Sequence, residues 1–299
     1  MSGLVRQLTH PSRRMSLEDL AATWTTASVS ARIPDYAALA HDTTLLRRIR
    51  GGLGQVFMQS ASTEALAGNP CPWQPPCALD VFFREQSRVG AHGVPKPFVL
   101  AGSRIGADLR IKVTLFGAAI DWMPAVSHAL VCTLRNGVAW RAQRPDIFLP
   151  KASVTNVSVS GQEGVRTVPD GGPAILEFLT PMNAEHDDPR DRPATVIARL
   201  ARRVEGLARW HDIALDEDWN QLSAIWGAAE YDTHMLHPVT TPRRSGRKAQ
   251  NFSMFAVDGS LAIGGLSPPL RALLAIGVST HIGKGASEGF GHYQLTRSF

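Results

Sequence analysis

Apolar residues in this chain recur at helical spacing in some stretches and at strand spacing in others. Leu45, Leu46, Ile49, Leu53, Val56 and Phe57 return every three to four positions, which predicts a helix with one buried face from Asp42, its N-cap, to about Met58. Arg47 is expected opposite that face, with Arg48 and Arg50 on its flanks. Around this helix the pattern predicts strands at 21–30, 98–101 and 108–116, a helix near 121–133 and a further strand from about Val138. The order is β-α-β-β-α-β.

From Ser160 to Pro173 the composition turns to Gly, Pro and Ser, which is expected of a linker or domain boundary. The order then repeats. Residues 175–179 read as a strand, and Pro193 opens a helix to Trp210 whose apolar stripe is Ile197, Leu200, Val204 and Leu207. Arg199, Arg202, Arg203 and Arg209 fall on its other side, expected to be a solvated face. Residues 252–257 and 260–263 flank Asp258-Gly259 as a hairpin. Ser267 is expected to cap a short helix that ends before Gly277, followed by a glycine-rich loop and a last strand. Two β-α-β-β-α-β units imply an α+β chain of tandem ferredoxin-like domains, residues 1–165 and 166–299. The repeat is one of element order, and the halves share no evident identity.

Composition sets bounds on the partners. The chain has 299 residues, 44% of them hydrophobic, enough for two cores of ordinary size. Its 31 Lys+Arg against 26 Asp+Glu leave a net charge of +5, and arginine far outnumbers lysine. That balance favours a polyanion, since the planar guanidinium grips phosphate bidentately and stacks on bases, though a GC-rich genome would produce the same skew. Three cysteines do not make a disulfide framework, and the first ten residues lack the apolar core of a signal peptide, so the expected compartment is the cytoplasm. No apolar stretch reaches the 18 or so residues a membrane helix needs. Cys71 and Cys77 bracket a proline-rich loop with no second cysteine pair near it, which suits a stiffened loop better than a zinc site.

Two segments carry candidate chemistry. Residues 283–291 place Gly283, Gly285, Gly289, Gly291 and Lys284 in one loop, an arrangement that brings backbone N–H groups and a cation up to an anion. The spacing fits neither a Walker A loop, which needs Ser or Thr after Gly-Lys, nor a dinucleotide fingerprint, which needs GxGxxG before a helix. Gly289-Phe290-Gly291 followed by Tyr293 half matches the Gly-Phe-Gly core of RNA-recognition strands, with Glu288 where a cation belongs. Arg243-Arg244-Ser245-Gly246-Arg247-Lys248 sets four cations in six residues, which repel one another unless an anion is bound. Glu185-His186-Asp187-Asp188, and His234 with His237, have side chains that diverge, so neither is a metal site.

The run from Thr241 through Arg243, Arg244, Arg247 and Lys248 to Gln250, then Gly264-Gly265-Leu266 and His281 to Gly291, resembles the C-terminal signature of CRISPR RNA-processing endoribonucleases of the RAMP superfamily. Leu46 to Gly54, Cys71 to Cys77 and Phe178-Leu-Thr-Pro-Met182 are similar to earlier landmarks of that family, in the same order. The resemblance implies tandem ferredoxin-like domains that bind a CRISPR repeat transcript and cut it without metal or cofactor. It further implies that the ribose 2′-OH attacks its own phosphate, leaving a 2′,3′-cyclic phosphate and a 5′-OH, with the crRNA retained and passed to effector-complex subunits. His41, just before the first long helix, stands where family histidines often act as the base, with Tyr36 near enough to assist. Some arginine-rich relatives, those of type IV systems in particular, work without a histidine, and Arg32, Arg47 and Arg244 are then the catalytic candidates. Arg48, Arg50, Arg243, Arg247, Lys248, Gly283, Lys284, Gly285, Gly289 and Gly291 are the expected RNA contacts. The rival reading is a non-catalytic RAMP subunit that holds guide RNA in an effector complex.

Overall fold

A computed structural model describes residues 3–89, 92–138, 157–165, 172–185, 187–244 and 251–297. The main elements are β1 (Arg13–Met15), α1 (Leu17–Thr23), β2 (Thr26–Ile33), α2 (Thr43–Met58), α3 (Ala78–Phe83), β3 (Phe98–Ile105), β4 (Asp108–Phe116), α4 (Met123–Arg135), β5 (Val157–Glu163), β6 (Ala174–Asn183), α5 (Ala194–Ala208), β7 (Ile213–Leu215), β8 (Leu236–Arg244), β9 (Asn251–Ile263), α6 (Pro268–Thr280) and β10 (Tyr293–Arg297). The first sheet is antiparallel in the order β3-β4-β2-β5, and the second, also antiparallel, runs β8-β9-β6-β10. Numbered within its own unit each order is 2-3-1-4, the arrangement of a ferredoxin-like β-α-β-β-α-β fold, and it occurs twice in tandem.

The helical periodicity holds where the apolar stripe is long. Leu45, Leu46, Ile49, Leu53, Val56 and Phe57 are all buried on α2, and Asp42 caps it by accepting from the amides of Thr44 (2.7 Å) and Leu45 (3.0 Å). One continuous core runs from the first unit into the second, from Leu46 and Phe116 through Trp210 to Leu273. The chain's beginning belongs to both. β1 pairs in parallel with β7, and Trp24 donates its indole N–H to the Ser279 hydroxyl at the end of α6 (3.1 Å).

Several expectations are corrected by long-range packing. Residues 21–23 are helical, because Ser16 caps α1 by accepting from the Asp19 amide (3.1 Å) and the helix buries Leu17 and Leu20; the strand starts only at Thr26. The strand expected from Val138 does not begin there: residue 138 is coil and residues 139–156, where the rest of that strand would run, lie outside those described; the fourth strand of the first sheet is β5. That strand also takes residues 160–163 out of the expected linker. Asp258-Gly259 does not turn a hairpin. β9 continues through it with a β-bulge, because β6 pairs on both sides of the bulge and the Met235 carbonyl accepts from the Ser260 amide (3.1 Å). A Cβ at Gly259 would stand 1.9 Å from that carbonyl oxygen, and its φ is +102°.

α6 runs past Gly277 to Thr280. There glycine serves close packing, since a Cβ would meet the Tyr293 hydroxyl at 2.0 Å. Of the four arginines expected to be solvated on α5, only Arg202 is exposed. Arg203 is buried and caps the end of α6 with Nε on the Thr280 carbonyl (2.5 Å), and burial lowers its pKa to about 9. Arg199 donates to the carbonyls of Asn183 (2.9 Å) and Asp187 (3.1 Å), and Arg209 to that of Leu8 (3.1 Å). These side chains fasten loops that no local pattern reveals.

Candidate RNA-processing site

His41 lies at the junction of the two units. It ends the turn that carries residues 37–40 into α2, immediately before the Asp42 cap, and it is exposed. Partial burial of its ring and the nearby Arg104 guanidinium lower its pKa, while the Asp258 carboxylate at the β9 bulge opposes them. A neutral imidazole in that position accepts a proton readily.

The glycine-rich loop sits directly on α2. A Cβ at Gly289 would stand 2.3 Å from Leu46 Cδ1, and one at Gly291 would stand 2.1 Å from the Ile282 carbonyl oxygen, so only glycine permits these contacts. The loop uses many of its own N–H groups. Those of Glu288 (2.7 Å) and Phe290 (3.2 Å) donate to the Gly285 carbonyl, that of Gly289 to Ala286 (3.1 Å) and that of Gly291 to Pro181 (3.0 Å). These four amides are therefore unavailable to an anion, which corrects the picture of a bare cradle. Gly283 and Gly285 hold φ of +77° and +87° on the opposite arm. Between them Lys284 pairs loosely with Glu185 (3.5 Å) and stays exposed, free to exchange that partner for a phosphate.

Two histidines that sequence reasoning treated only as loop boundaries belong to the site. His281, at the end of α6, and His292, before β10, stack with ring centroids 4.5 Å apart. Burial chiefly, then the neighbouring His41 and Lys112, lowers the His292 pKa to about 4; burial, His292 and Arg203 hold His281 well below its usual value. The available signal was their placement at the two ends of the glycine run, which the Ile282 amide closes by donating to the Gly291 carbonyl (2.9 Å).

The other sequence-predicted residues divide clearly. Arg47 does not point away from the protein: its side chain is largely buried and faces Glu288 of the glycine loop at 3.6 Å. Arg48 is exposed, and the Arg50 guanidinium lies over the Phe83 ring at 4.7 Å. Arg32 is ion-paired with Asp108, whose carboxyl is held below its usual range by the Asp35 amide and by Arg32 itself. Register pairs Arg32 with Arg110 and Ser103, whereas Gly102, on which the His41 turn rests, pairs with Ile111; Arg32 therefore faces away from His41 across the sheet. Tyr36 packs partly buried against the core.

Arg243 and Arg244 close β8 opposite Phe252 and Asn251, while Arg247 and Lys248 lie outside the described residues. Phe290 and Tyr293 are buried, the Tyr293 hydroxyl donating to the Leu274 carbonyl (2.6 Å), so the half-matched RNA-recognition motif has no ring free for base stacking. Cys71 and Cys77 are free thiols joined by a hydrogen bond from the Cys77 amide to Cys71 Sγ (3.3 Å). Among the described residues no three His, Cys, Asp or Glu side chains converge as metal ligands, and no helix is long and apolar enough to cross a membrane.

Residues 28–169 match a family model described as an N-terminal domain, and residues 176–293 match the model of the CRISPR-associated endoribonuclease Cas6. No curated protein matches the chain. Among solved structures, a Cas6 product complex aligns with 91% of this chain and 99% of its own at 16% identity and a TM-score of 0.53. A Cas6 complex with a substrate mimic aligns over 91% of this chain and 99% of its own at 15% identity and a TM-score of 0.50. At such identities these two likenesses speak for the tandem ferredoxin-like fold.

Proposed function

We propose, for a chain whose residues 176–293 match the Cas6 endoribonuclease model, that it is a CRISPR RNA-processing protein that cleaves repeat transcripts itself and keeps the crRNA it produces. The observation that carries this reading is the exposed His41 at the start of α2, its pKa lowered by partial burial and Arg104, and close enough to His292 at the end of the glycine-rich loop to lower that ring's pKa too. In the reaction His41 takes the proton of a ribose 2′-OH as that oxygen bonds to the adjacent phosphorus. The P–O5′ bond breaks, the 5′ oxygen takes a proton from water, and a 2′,3′-cyclic phosphate remains. Charge on the phosphorane is met by cations at the junction, with Arg47 behind the loop and Lys284 on its exposed arm. Arg243, Arg244, Arg247 and Lys248 extend the contact along the phosphate backbone, and Arg48, on the exposed side of α2, adds to it.

Two of the three arginine candidates are less well placed than His41 for this reading. Arg32 faces the wrong side of its sheet and Arg47 is engaged by Glu288, whereas His41 is open to solvent. Proteins of the same fold solved as Cas6 product and substrate-mimic complexes support an RNA ligand for this chain. The test is to incubate the purified protein with repeat RNAs and map both new ends. One cut per repeat with a cyclic phosphate and a 5′-OH is expected. Tight binding of repeat RNA without any cut would identify a guide-holding subunit instead.

A further inference from the structure

The carbonyl oxygen of Ala40 lies 2.1 Å from the point a Cβ on Gly102 would occupy. Only a residue without a side chain lets the turn before α2 lie flat on β3, and the Ala37 amide completes the seat by donating to the Ala107 carbonyl (2.9 Å). Register pairs Gly102 with Ile111 and Arg104 with Leu109, so Arg104 follows Gly102 on the same face of the strand, at its exposed end. Charged and titratable groups thus meet His41 from three elements: Arg104 from β3, Asp258 from the β9 bulge and His292 from the end of the glycine-rich loop.

We propose that Gly102 is a positioning residue for His41 and that Arg104 is the cation that holds the scissile phosphate beside it. This rests on the endoribonuclease reading above. While the 2′-OH passes its proton to His41 and the P–O5′ bond breaks, the Arg104 guanidinium donates N–H groups to a non-bridging oxygen on which charge accumulates. Arginine stays protonated at any working pH, so the same group also disfavours imidazolium and keeps His41 able to accept. Asp258 pulls the other way and limits that effect.

The experiment uses the full chain with repeat RNA and compares Arg104→Gln, Arg104→Lys and Gly102→Ala. Arg104→Gln should slow single-turnover cleavage by about 10²-fold, the usual cost of one donor to a developing oxyanion, and Arg104→Lys should recover part of it. In Arg104→Gln the proton-NMR titration of the His41 ring should move to higher pH, which a merely structural arginine would not cause. Gly102→Ala should slow cleavage while leaving RNA affinity within about twofold, because the displaced turn misplaces His41 and not the binding loops. An unchanged rate together with an unchanged His41 titration in Arg104→Gln overturns the proposal, as does a wild-type rate in a folded Gly102→Ala. If Gly102→Ala does not fold, the two variants at the exposed Arg104 decide. If the wild type cuts no repeat RNA, the endoribonuclease reading fails by itself. The hold on phosphate is then read from binding: it predicts that Arg104→Gln lowers the salt slope by about 0.7, and an unchanged slope refutes it.

Discussion

The imidazole of His281 stacks on that of His292, with 21° between the ring planes, and the Nδ1 atoms of both are buried without a hydrogen-bond partner among the described residues. Both rings are therefore kept neutral in the fold, His292 with a pKa lowered to about 4 and His281 well below the ordinary value, whereas each titrates near 6.5 when unfolded. Between pH 6.5 and about 4 the unfolded chain binds protons that the folded chain does not. Stability is then full above pH 6.5 and falls as the pH drops through that window, by up to about 1.4 kcal/mol per pH unit for each proton. Urea unfolding at pH 7.5, 6 and 5 should show falling midpoints, with a smaller slope in the His281→Phe, His292→Phe double variant. His211, also lowered to about 4, would sustain the residual slope. A midpoint constant from pH 7.5 to 5 would contradict the burial of neutral rings.

Cleavage should persist in EDTA and stop when one 2′-deoxy nucleotide replaces the residue 5′ to the cut, because in the proposed reaction the attacking group is the RNA's own hydroxyl. Gel analysis of both substrates with and without chelator tests this. Activity lost in EDTA and restored by magnesium would refute it.

His41→Ala should slow single-turnover cleavage by about 10² to 10⁴ with little change in binding, as expected when a positioned proton-transfer group is removed. Arg32→Ala should cleave at nearly the wild-type rate, since Arg32 lies across the sheet from His41 and is paired with Asp108. Rates at saturating enzyme separate the two. A silent His41→Ala beside a crippled Arg32→Ala would restore the arginine mechanism.

Replacing Arg243, Arg247 and Lys248 together by alanine should weaken repeat binding and lower the slope of log affinity against log salt by roughly 0.7 for each phosphate that the variant no longer neutralises. Affinity measured between 50 and 300 mM salt, about the range in which counterion release dominates, gives the answer. An unchanged slope would make that loop irrelevant to RNA.

Arg47→Met should loosen the glycine-rich loop, since Arg47 faces Glu288 from α2, and should weaken RNA binding along with the rate. The charge-swapped pair Arg47→Glu, Glu288→Arg should recover part of the binding if the ion pair orders the loop. Equal losses in the single and double variants would show that Arg47 acts on the RNA directly.

The α2 stripe, its Asp42 cap and the glycine-rich loop were all legible in the linear chain, because each rests on neighbours within four residues: the 3.6-residue period, an N-cap oxygen reaching amides two and three positions on, and glycines that alone take positive φ readily. The β-α-β-β-α-β order was legible for the first unit up to its last strand, since element order follows from where apolar periods begin and stop; in the second unit it came out only because β9 was read as two strands while β8 was not foreseen. What escaped were relationships between residues distant along the chain. Arg203 looked solvated because its stripe position says nothing of Thr280, 77 residues away, whose carbonyl it caps. Asp258-Gly259 looked like a hairpin because the local signal is the same for a turn and a bulge; the pairing of β6 on both sides selects the bulge. The His41 seat on Gly102, the stacked His281 and His292, and the opposite facing of Arg32 came only with the packed sheets. A periodic pattern reports which side of an element meets a core, whereas a site is made where two such elements cross, and the atoms that meet there are set by register and close packing between segments far apart in sequence.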